Sequence, residues 1–229
     1  MRNYCVAKII HRIKFPPELV YYMLNDILEA ATSELLSREE ARDEAYSRAR
    51  RSRTLSKQAI LYLHSGNESQ ALSNLEEARQ LLSEIEPYAV EHPEIAHYNA
   101  VTSAKEEHSE ASILYGLNTG EGYPSPERLG VSATDYLLGL ADVPGELRRQ
   151  SLDHLRSGNL SAAEDNLEVM EEIYMNLVSV EEASLFLKGL RRKLDIMRNV
   201  NERTRAEITT ETSRERLTRK LSELSEKLD

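Results

Sequence analysis

The sequence predicts an all-α protein, an antiparallel bundle of six to seven helices without a β-sheet. Glycine and proline interrupt helices, but they number only nine and seven among the 229 residues, and long stretches contain neither. Those stretches are rich in Glu, Leu, Ala, Arg and Ser, a composition that favours helices. Apolar residues recur at steps of three and four, whereas no Val-, Ile- or Thr-rich alternating run indicates a strand. At 26.1 kDa the chain is long enough to bury one core.

The chain is expected to divide into an N-terminal extension (1–22), a helical bundle (23–200) and a polar helical C-terminal tail (201–229). A Pro-Pro pair within the extension stops any helix there. Two origins of the extension stay open: a segment specific to one lineage, or an upstream choice of start codon with Met23 as the alternative start. The tail is set apart because the sequence becomes mostly polar after Asn199, with only a weak leucine stripe.

The first helices are predicted from breaks and caps. One helix is expected over about 18–35. Ser37 and Glu40 have the spacing of a capping box, which predicts that a second, long helix begins there and continues to His64. The segment 65–67, Ser-Gly-Asn, then breaks the chain before the next helix.

The later helices are predicted in the same way. A helix over about 94–115 and another opened by Ser132 and Asp135 each carry a pair of acidic residues. Ser179 with Glu182 is expected to cap the last long helix. Three apolar stripes are predicted to form the core: Ala71, Leu75, Ala78, Leu82 and Ile85; Leu160, Ala163, Leu167, Met170, Tyr174 and Leu177; Ala183, Leu187, Leu190, Leu194 and Met197.

One turn motif occurs twice. Residues 63–78 and 155–170 share Leu, Ser-Gly-Asn, Ser, Ala and Asn-Leu-Glu at matching offsets. The glycine suits a helix C-terminus and the asparagine can cap the next helix. Two copies 92 residues apart do not make a tandem array, so reuse of one favourable turn is expected rather than a helical-hairpin repeat.

Charge and cysteine content limit the partners and the compartment. A net charge of −10 disfavours indiscriminate binding of nucleic acid. A single cysteine, Cys5, excludes an intramolecular disulfide and suits a reducing cytoplasm. Charged residues interrupt the apolar N-terminus, so neither a signal peptide nor a membrane span is expected. The sequence therefore predicts a soluble, cytoplasmic protein with no membrane partner.

Positive charge is concentrated locally in two clusters. The ordinary interpretation of such a cluster is a solvated helix face. One cluster covers Arg191–Lys193. The other contains Arg48, Arg50, Arg51, Arg53 and Lys57.

Two pairs of carboxylates stand at helical spacing, Glu107 with Glu110 and Asp142 with Glu146. Residues three or four apart share one helix face, so each pair can direct two carboxylates at one spot. Two such helices packed together would gather four oxygen ligands, an arrangement that is costly unless a cation is bound. Two alternatives stay open: the first pair is simply exposed, and Asp142 only caps a helix that restarts at Val143.

The donor types indicate which metal such a site would prefer. Ligands that are all oxygens fit a hard cation, Mg²⁺ or Mn²⁺, that keeps waters and binds substrate phosphate. A di-iron bundle would need two Glu-x-x-His pairs, and Glu94–His97 is the only one in the sequence. No nucleophile–base triad and no phosphate-binding glycine loop is found.

The segment Val131–Arg149 resembles the signature of the translin family. A D-Y-L-x-G block is present at Asp135–Gly139, and A-D-x-x-G-E-L at Ala141–Leu147. Upstream, Lys105–Ala111 is similar to the E-x-x-E-A segment of the family's translin-associated factor X (Trax) branch. The likeness covers roughly residues 20–200 and is closer to Trax than to translin itself. It suggests an archaeal member.

The resemblance implies a translin-like bundle that assembles into a hollow homo-oligomer, usually an octamer. It further implies a Mg²⁺-dependent endoribonuclease that cleaves single-stranded RNA on the inner wall. By matching position, Glu107, Glu110 and Asp142 correspond to catalytic carboxylates, and Glu146 corresponds to a supporting metal ligand. A channel that admits one strand would exclude a duplex, and sequence preference would be weak. Phosphate contacts are expected from Arg48, Arg50, Arg51, Arg53, Lys57, Arg148 and Arg149.

Two other functions remain open from the sequence. One is a translin-like protein that binds single-stranded RNA or DNA without cleaving it. The other is a helical adaptor that recognises protein, suggested by the repeated turn and the leucine-spaced tail. The biological RNA, the number of metals and the need for a second type of subunit do not follow from the residues.

Overall fold

A computed structural model of the chain describes residues 17–180 and 187–227. These residues form helices and no β-strand, and seven of the helices are eight residues or longer, so the predicted all-α class is confirmed. The elements in order are α1 (Pro17–His64), α2 (Glu68–Ser83), α3 (Glu86–Glu91), a 3₁₀ helix (Pro93–His97), α4 (Asn99–Thr119), α5 (Pro126–Leu129), α6 (Ala133–Leu140), α7 (Val143–Arg156), α8 (Leu160–Ser179) and α9 (Leu190–Ser225).

The chain separates into two compact units, residues 1–44 and 45–229. In the described part of the first unit, α1 displays large apolar side chains to solvent and carries an exposed ion pair between Arg38 and Glu34 at 2.8 Å. The second unit contains the core and all the other helices. The division expected from the sequence, at residues 22 and 200, stays a prediction, and α9 continues past residue 200 without a break.

Helix α1 is continuous where the sequence predicted a new start. The capping-box spacing of Ser37 and Glu40 does not mark a helix terminus, because both residues lie inside α1. Residues 18–64 contain no glycine or proline, so nothing stops the helix that begins at Pro17. Proline at the first helical position is favourable, since its missing N–H would have no intrahelical partner there.

The start of the last helix also differs from the prediction. Ser179 is the last residue of α8, and its hydroxyl donates to the carbonyl of Asn176 at 2.6 Å. Helix α9 begins at Leu190 after Gly189, whose φ of 96° is a conformation that glycine adopts without steric cost. Glu182 and Ala183, which belonged to the same prediction, lie outside the described residues.

The repeated Ser-Gly-Asn turn has one geometry in both places. Gly66 and Gly158 have φ values of 74° and 78°. Asn67 accepts a hydrogen bond from the backbone N–H of Gln70, and Asn159 accepts one from Ala162, each at 3.2 Å. Each asparagine therefore satisfies one of the free N–H groups at the start of the following helix.

The core lies where the apolar stripes predicted it. All five residues of the first stripe are buried, and the described members of the other two are buried or partly buried. Leu114, Leu147, Met170 and Leu194 bring α4, α7, α8 and α9 into one cluster. The leucines of the tail differ, since Leu217 is 59% exposed.

A close crossing of α4 and α6 positions the acidic residues. A Cβ atom at Gly139 would overlap the carbonyl oxygen of Glu106 and the Cβ of Ser109, so only glycine allows the two backbones to approach this closely. Helix α4 begins at Asn99, later than the predicted residue 94, because Pro93 starts the short 3₁₀ helix instead.

No helix among residues 17–180 and 187–227 is long and apolar enough to cross a membrane.

Candidate functional site

The second acidic pair lies at a junction between two helices. The sequence predicted one helix from Ser132 to the next turn, but the chain forms α6 and α7, which meet at Ala141 and Asp142. Ser132 caps α6 as predicted, accepting from the backbone N–H of Asp135 at 3.1 Å. Asp142 occupies the N-cap position of α7, yet its side chain makes no capping hydrogen bond. Its carboxylate is therefore directed at another partner.

That partner is Lys193 of α9. Its ammonium group donates to Asp142 Oδ2 at 2.5 Å, to Glu106 Oε2 at 3.2 Å and to the carbonyl oxygen of Leu138 at 3.1 Å. Burial alone would lower the pKa of Lys193, but the hydrogen bond and charge of Asp142, together with Glu106, raise it above its usual range. Lys193 is thus a fixed positive charge that joins α9 to both acidic helices.

Glu110 experiences the combined field of the other carboxylates. Burial first, and then the negative charges of Asp142, Glu107 and Glu146, raise the pKa of Glu110 to about 8 against the opposing charge of Lys193. Glu110 is accordingly protonated at neutral pH in the absence of an added cation. The four predicted ligands therefore interact with one another through Glu110.

Glu107 contacts two of the predicted phosphate-binding residues. Its Oε2 lies 3.3 Å from Arg53 Nε and 3.7 Å from Lys57 Nζ. The Glu107 side chain is only 15% exposed, whereas those of Arg53 and Lys57 are about half exposed. Helix α1 therefore places two accessible cations at the edge of the acidic cluster.

Glu146 is held by a histidine of α1. Glu146 Oε2 lies 2.6 Å from His64 Nε2, and the other ring nitrogen of His64 has no hydrogen-bond partner within the described residues. Since α7 presents Glu146 one turn after Asp142, this contact joins the second acidic pair to the same helix that carries Arg53 and Lys57.

The other predicted phosphate-binding residues lie apart from this cluster. Arg48 pairs with Glu84 at 3.2 Å and stacks over Tyr88, and Arg51 pairs with Glu77 at 3.2 Å. These contacts are to α2, to Tyr88 of α3 and to Glu84 just after α2. Arg50 stacks over Tyr46, Arg148 bonds to Thr204 and Glu207 of α9, and Arg149 is exposed.

Three members of the cluster escaped prediction: Glu106, Lys193 and His64. Glu106 and Glu110 are four residues apart on α4, a spacing as informative as that of the chosen pair. Lys193 was hidden in the run Arg191–Lys193, in which its two neighbours are exposed and it is only partly so. His64 was seen only as the last residue of a helix.

The cluster offers oxygen ligands but no preformed cage. Among the described residues, no three acidic, histidine or cysteine side chains stand around one point as a metal would require. Carboxylates and a carbonyl are nevertheless the donors that a hard divalent cation prefers, and Lys193 shows that a cation is stable among them. The donor chemistry therefore fits Mg²⁺ or Mn²⁺, although the side chains would have to turn toward the ion.

Comparisons with known proteins agree with this architecture. A structure of AfC3PO in complex with duplex RNA has a TM-score of 0.75 and 33% identity, covering 81% of this chain and 96% of that one. A crystal structure of AfC3PO has a TM-score of 0.75 and 34% identity, covering 81% of this chain and 97% of that one. A crystal structure of apo-NeC3PO has a TM-score of 0.73 and 28% identity, covering 80% of this chain and 96% of that one.

The sequence comparisons define the family. An uncharacterised protein of Methanocaldococcus jannaschii is 35% identical over 119 residues, 52% of this chain and 52% of that protein. The chain thus spans about half the length of this curated relative. The translin family profile matches residues 23–205, which include every residue of the acidic cluster. The chain belongs to the translin family.

Proposed function

We propose that this protein is a metal-dependent endoribonuclease that cleaves single-stranded RNA. The observation that carries the proposal is the buried Glu110 close to three other carboxylates: burial first, and then the charges of Asp142, Glu107 and Glu146, raise its pKa to about 8. A buried carboxyl group that holds its proton beside other carboxylates is typical of a functional site. Glu107, Glu110 and Asp142 are proposed as the catalytic carboxylates, and Glu146 as a supporting ligand.

The same four residues would hold Mg²⁺ or Mn²⁺. The bound ion would polarise the scissile phosphate and lower the pKa of a bound water. For the protein's part, Glu110 would release its proton on binding the ion. Asp142 would exchange the ammonium of Lys193 for the metal, and Lys193 would retain Glu106. His64 would keep Glu146 oriented through their hydrogen bond.

Arg53 and Lys57 are proposed to bind the RNA backbone. They lie beside Glu107 and are half exposed, so a phosphate can reach both without displacing a buried group. No group of the cluster is placed to select a base, hence weak sequence preference is expected. RNA as the partner is supported by the AfC3PO complex with duplex RNA, and discrimination between single and double strands is part of the proposal.

The direct test is cleavage of end-labelled RNA. Single-stranded RNA should be cut with Mg²⁺ or Mn²⁺ and not with chelator, and the same sequence as a duplex should be cut more slowly. Glu110→Gln and Asp142→Asn should each lower the rate about a hundredfold or more, because each removes a negative ligand from the metal. Asp153→Asn is the matched control, since Asp153 lies on α7 and, within the part of the chain that the structure describes, forms an ion pair only with the exposed Arg156.

The outcomes separate the assignment from the function. If both cluster variants keep full activity while Mg²⁺ remains necessary, the catalytic residues are wrongly assigned. If no condition yields cleavage but RNA is bound in a salt-dependent way, the protein is a translin-like binder without catalysis. That second function is favoured by the ammonium of Lys193 within the cluster, which already neutralises part of the charge. Failure to bind any nucleic acid at low salt would favour an adaptor role.

A homo-octamer is proposed as the working assembly. The first part of α1 exposes Met23, Leu24, Ile27, Leu28, Leu35 and Leu36 at 52–64% each, an apolar surface that is typical of an interface. Eight copies of a 26.1 kDa chain would weigh about 209 kDa in native mass spectrometry. Leu28→Glu with Leu35→Glu should shift the mass to smaller species, whereas a mass near 26 kDa for the unaltered protein would contradict the assembly.

A further inference from the structure

A cavity of about 360 Å³ lies on the side of α4 that faces away from the acidic cluster. His108, Ser112, Tyr115 and Gly116 line it, and their spacing of four, seven and eight residues places them on one face of α4. Glu110, two positions after His108, points to the opposite side of the helix. The cavity is therefore separate from the proposed catalytic site, and its size is that of small-molecule sites.

The wall of the cavity is held in place by a glycine contact. The N–H of Gly122 donates to the carbonyl oxygen of Gly116 at 3.0 Å, and a Cβ at Gly116 would overlap the carbonyl oxygen of Gly122. Gly122 has a φ of 77°, which few other residues adopt. The loop after α4 thus lies directly against the helix and forms part of the cavity wall.

His108 is the polar group that the cavity leaves unused. The residue is 1% exposed, and neither ring nitrogen hydrogen-bonds to another group of the described chain. Burial, followed by the charge of Arg79, lowers the pKa of His108 to about 4, so the ring is neutral at physiological pH. A neutral imidazole has one donor and one acceptor, and leaving both unmet in a buried position is unfavourable.

Around His108 the lining combines apolar walls with a cation. Leu72, Leu75 and Leu129 form the walls. Arg79 lies at the opening, is exposed, and forms no ion pair with the described residues. The second arginine of the lining, Arg128, differs because it pairs with Glu121 at 3.3 Å at the rim.

We propose that this cavity binds a nucleoside monophosphate, with the base between the leucines, its polar edge on His108 and Ser112, and the phosphate on Arg79. A heterocyclic base is planar, so its faces can pack between apolar side chains, and its edge carries donors and acceptors that can pair with one nitrogen of a neutral imidazole and with a serine hydroxyl. Glu76, an exposed residue at the rim, can accept hydrogen bonds from the ribose hydroxyls. The same chemistry is present in a free mononucleotide and in one nucleotide of an RNA chain.

The test is calorimetric titration of the full-length protein with AMP, GMP, CMP and UMP in the presence of chelator, which removes metal-dependent binding at the acidic cluster. At least one should bind in the micromolar to low millimolar range. His108→Leu should weaken binding about tenfold or more, since the base loses its hydrogen bond to the imidazole. Arg79→Met should weaken the nucleotide to the level of its nucleoside and leave nucleoside binding unchanged. Arg156→Met is the matched control, because Arg156 is an exposed arginine on another helix.

Two further arms identify the source of the ligand and guard against misfolding. If a tetranucleotide of the preferred base competes with the mononucleotide, and His108→Leu weakens both, the site takes an end of an RNA chain; without competition it takes the free nucleotide. Ser112→Ala, a milder change, should lower the affinity severalfold with an unaltered thermal midpoint. The proposal is overturned if no monophosphate binds at concentrations up to about 5 mM, which is near the weakest meaningful affinity. It is also overturned if His108→Leu and Ser112→Ala leave the affinity unchanged while Glu110→Gln abolishes binding.

Discussion

Glu110 makes the stability of the metal-free protein depend on pH in an unusual direction. The pKa of this side chain rises from 4.5 to about 8 on folding. The folded state therefore binds a proton that the unfolded state has released between these values, and stability falls as pH rises. The contribution is fully present below about pH 4.5 and is lost above about pH 8. The difference corresponds to roughly 3–5 kcal/mol, given that the group is partly accessible.

Glu110→Gln removes this dependence while leaving the shape nearly unchanged. At pH 5 the variant and the wild type should unfold with similar free energies, and at pH 9 the variant should be more stable by about 3 kcal/mol. Urea denaturation followed by circular dichroism at pH 5, 7 and 9, in chelator, measures both values. Chelator is needed because a divalent cation would replace the proton and flatten the wild-type profile as well.

Glu164→Gln is the control, since Glu164 is exposed on α8 and should leave the wild-type slope intact. The reasoning fails if wild type and Glu110→Gln lose stability in parallel between pH 5 and pH 9. Parallel curves would mean that Glu110 is already ionised at neutral pH, and that the carboxylates are farther apart or better solvated than the geometry indicates.

Three further predictions concern the scaffold. Gly139→Ala should lower the free energy of unfolding by about 1–3 kcal/mol, measured by heat or urea, because the added methyl group overlaps α4. Gly145→Ala, where the space is open, should leave the free energy unchanged, and equal effects of the two changes would contradict the close crossing. Asn67→Ala and Asn159→Ala should each lower the free energy of unfolding by about 1 kcal/mol, whereas aspartate at the same positions should retain most of the stability. If neither alanine variant loses stability, the two caps are unimportant. Lys193→Met should lower the free energy of unfolding by about 1–3 kcal/mol in the presence of chelator. Added Mn²⁺ should stabilise this variant more than the wild type, and equal stabilisation would mean that the lysine and the metal do not compete for the carboxylates.

The sequence predicts the helices well where local chemistry decides them. Asn67 and Asn159 end their turns as expected because an asparagine after glycine acts on its immediate neighbours. Ser37 fails for the complementary reason: the spacing of a capping box is present, but no residue breaks the helix that surrounds it. A capping motif marks the start of a helix only where a glycine, a proline or another helix-breaking residue interrupts the preceding segment.

The candidate site was predictable only in part, because its members come from four separate regions of the chain. The spacing within α4 and the junction before α7 identify Glu107, Glu110, Asp142 and Glu146 as candidates, and the catalytic roles assigned to them stay predictions. Spacing says nothing of Lys193, which lies 51 residues from Asp142. Its burial follows from the packing of α9, and a lysine in a run of three cations gives no sign of it.

The crossing at Gly139 has a consequence for how the site can change. Because main chain meets main chain there, the distance between the stretches of backbone that carry the carboxylates of α4 and those after α6 is fixed by this contact. If Asp142 is replaced by the longer glutamate, the helices cannot move apart to make room for it. If Glu110 is replaced by the shorter aspartate, they cannot move closer together to restore its contacts. With the backbones fixed, the length of each side chain limits how far its carboxylate can reach, so we expect that aspartate and glutamate are not interchangeable at these positions.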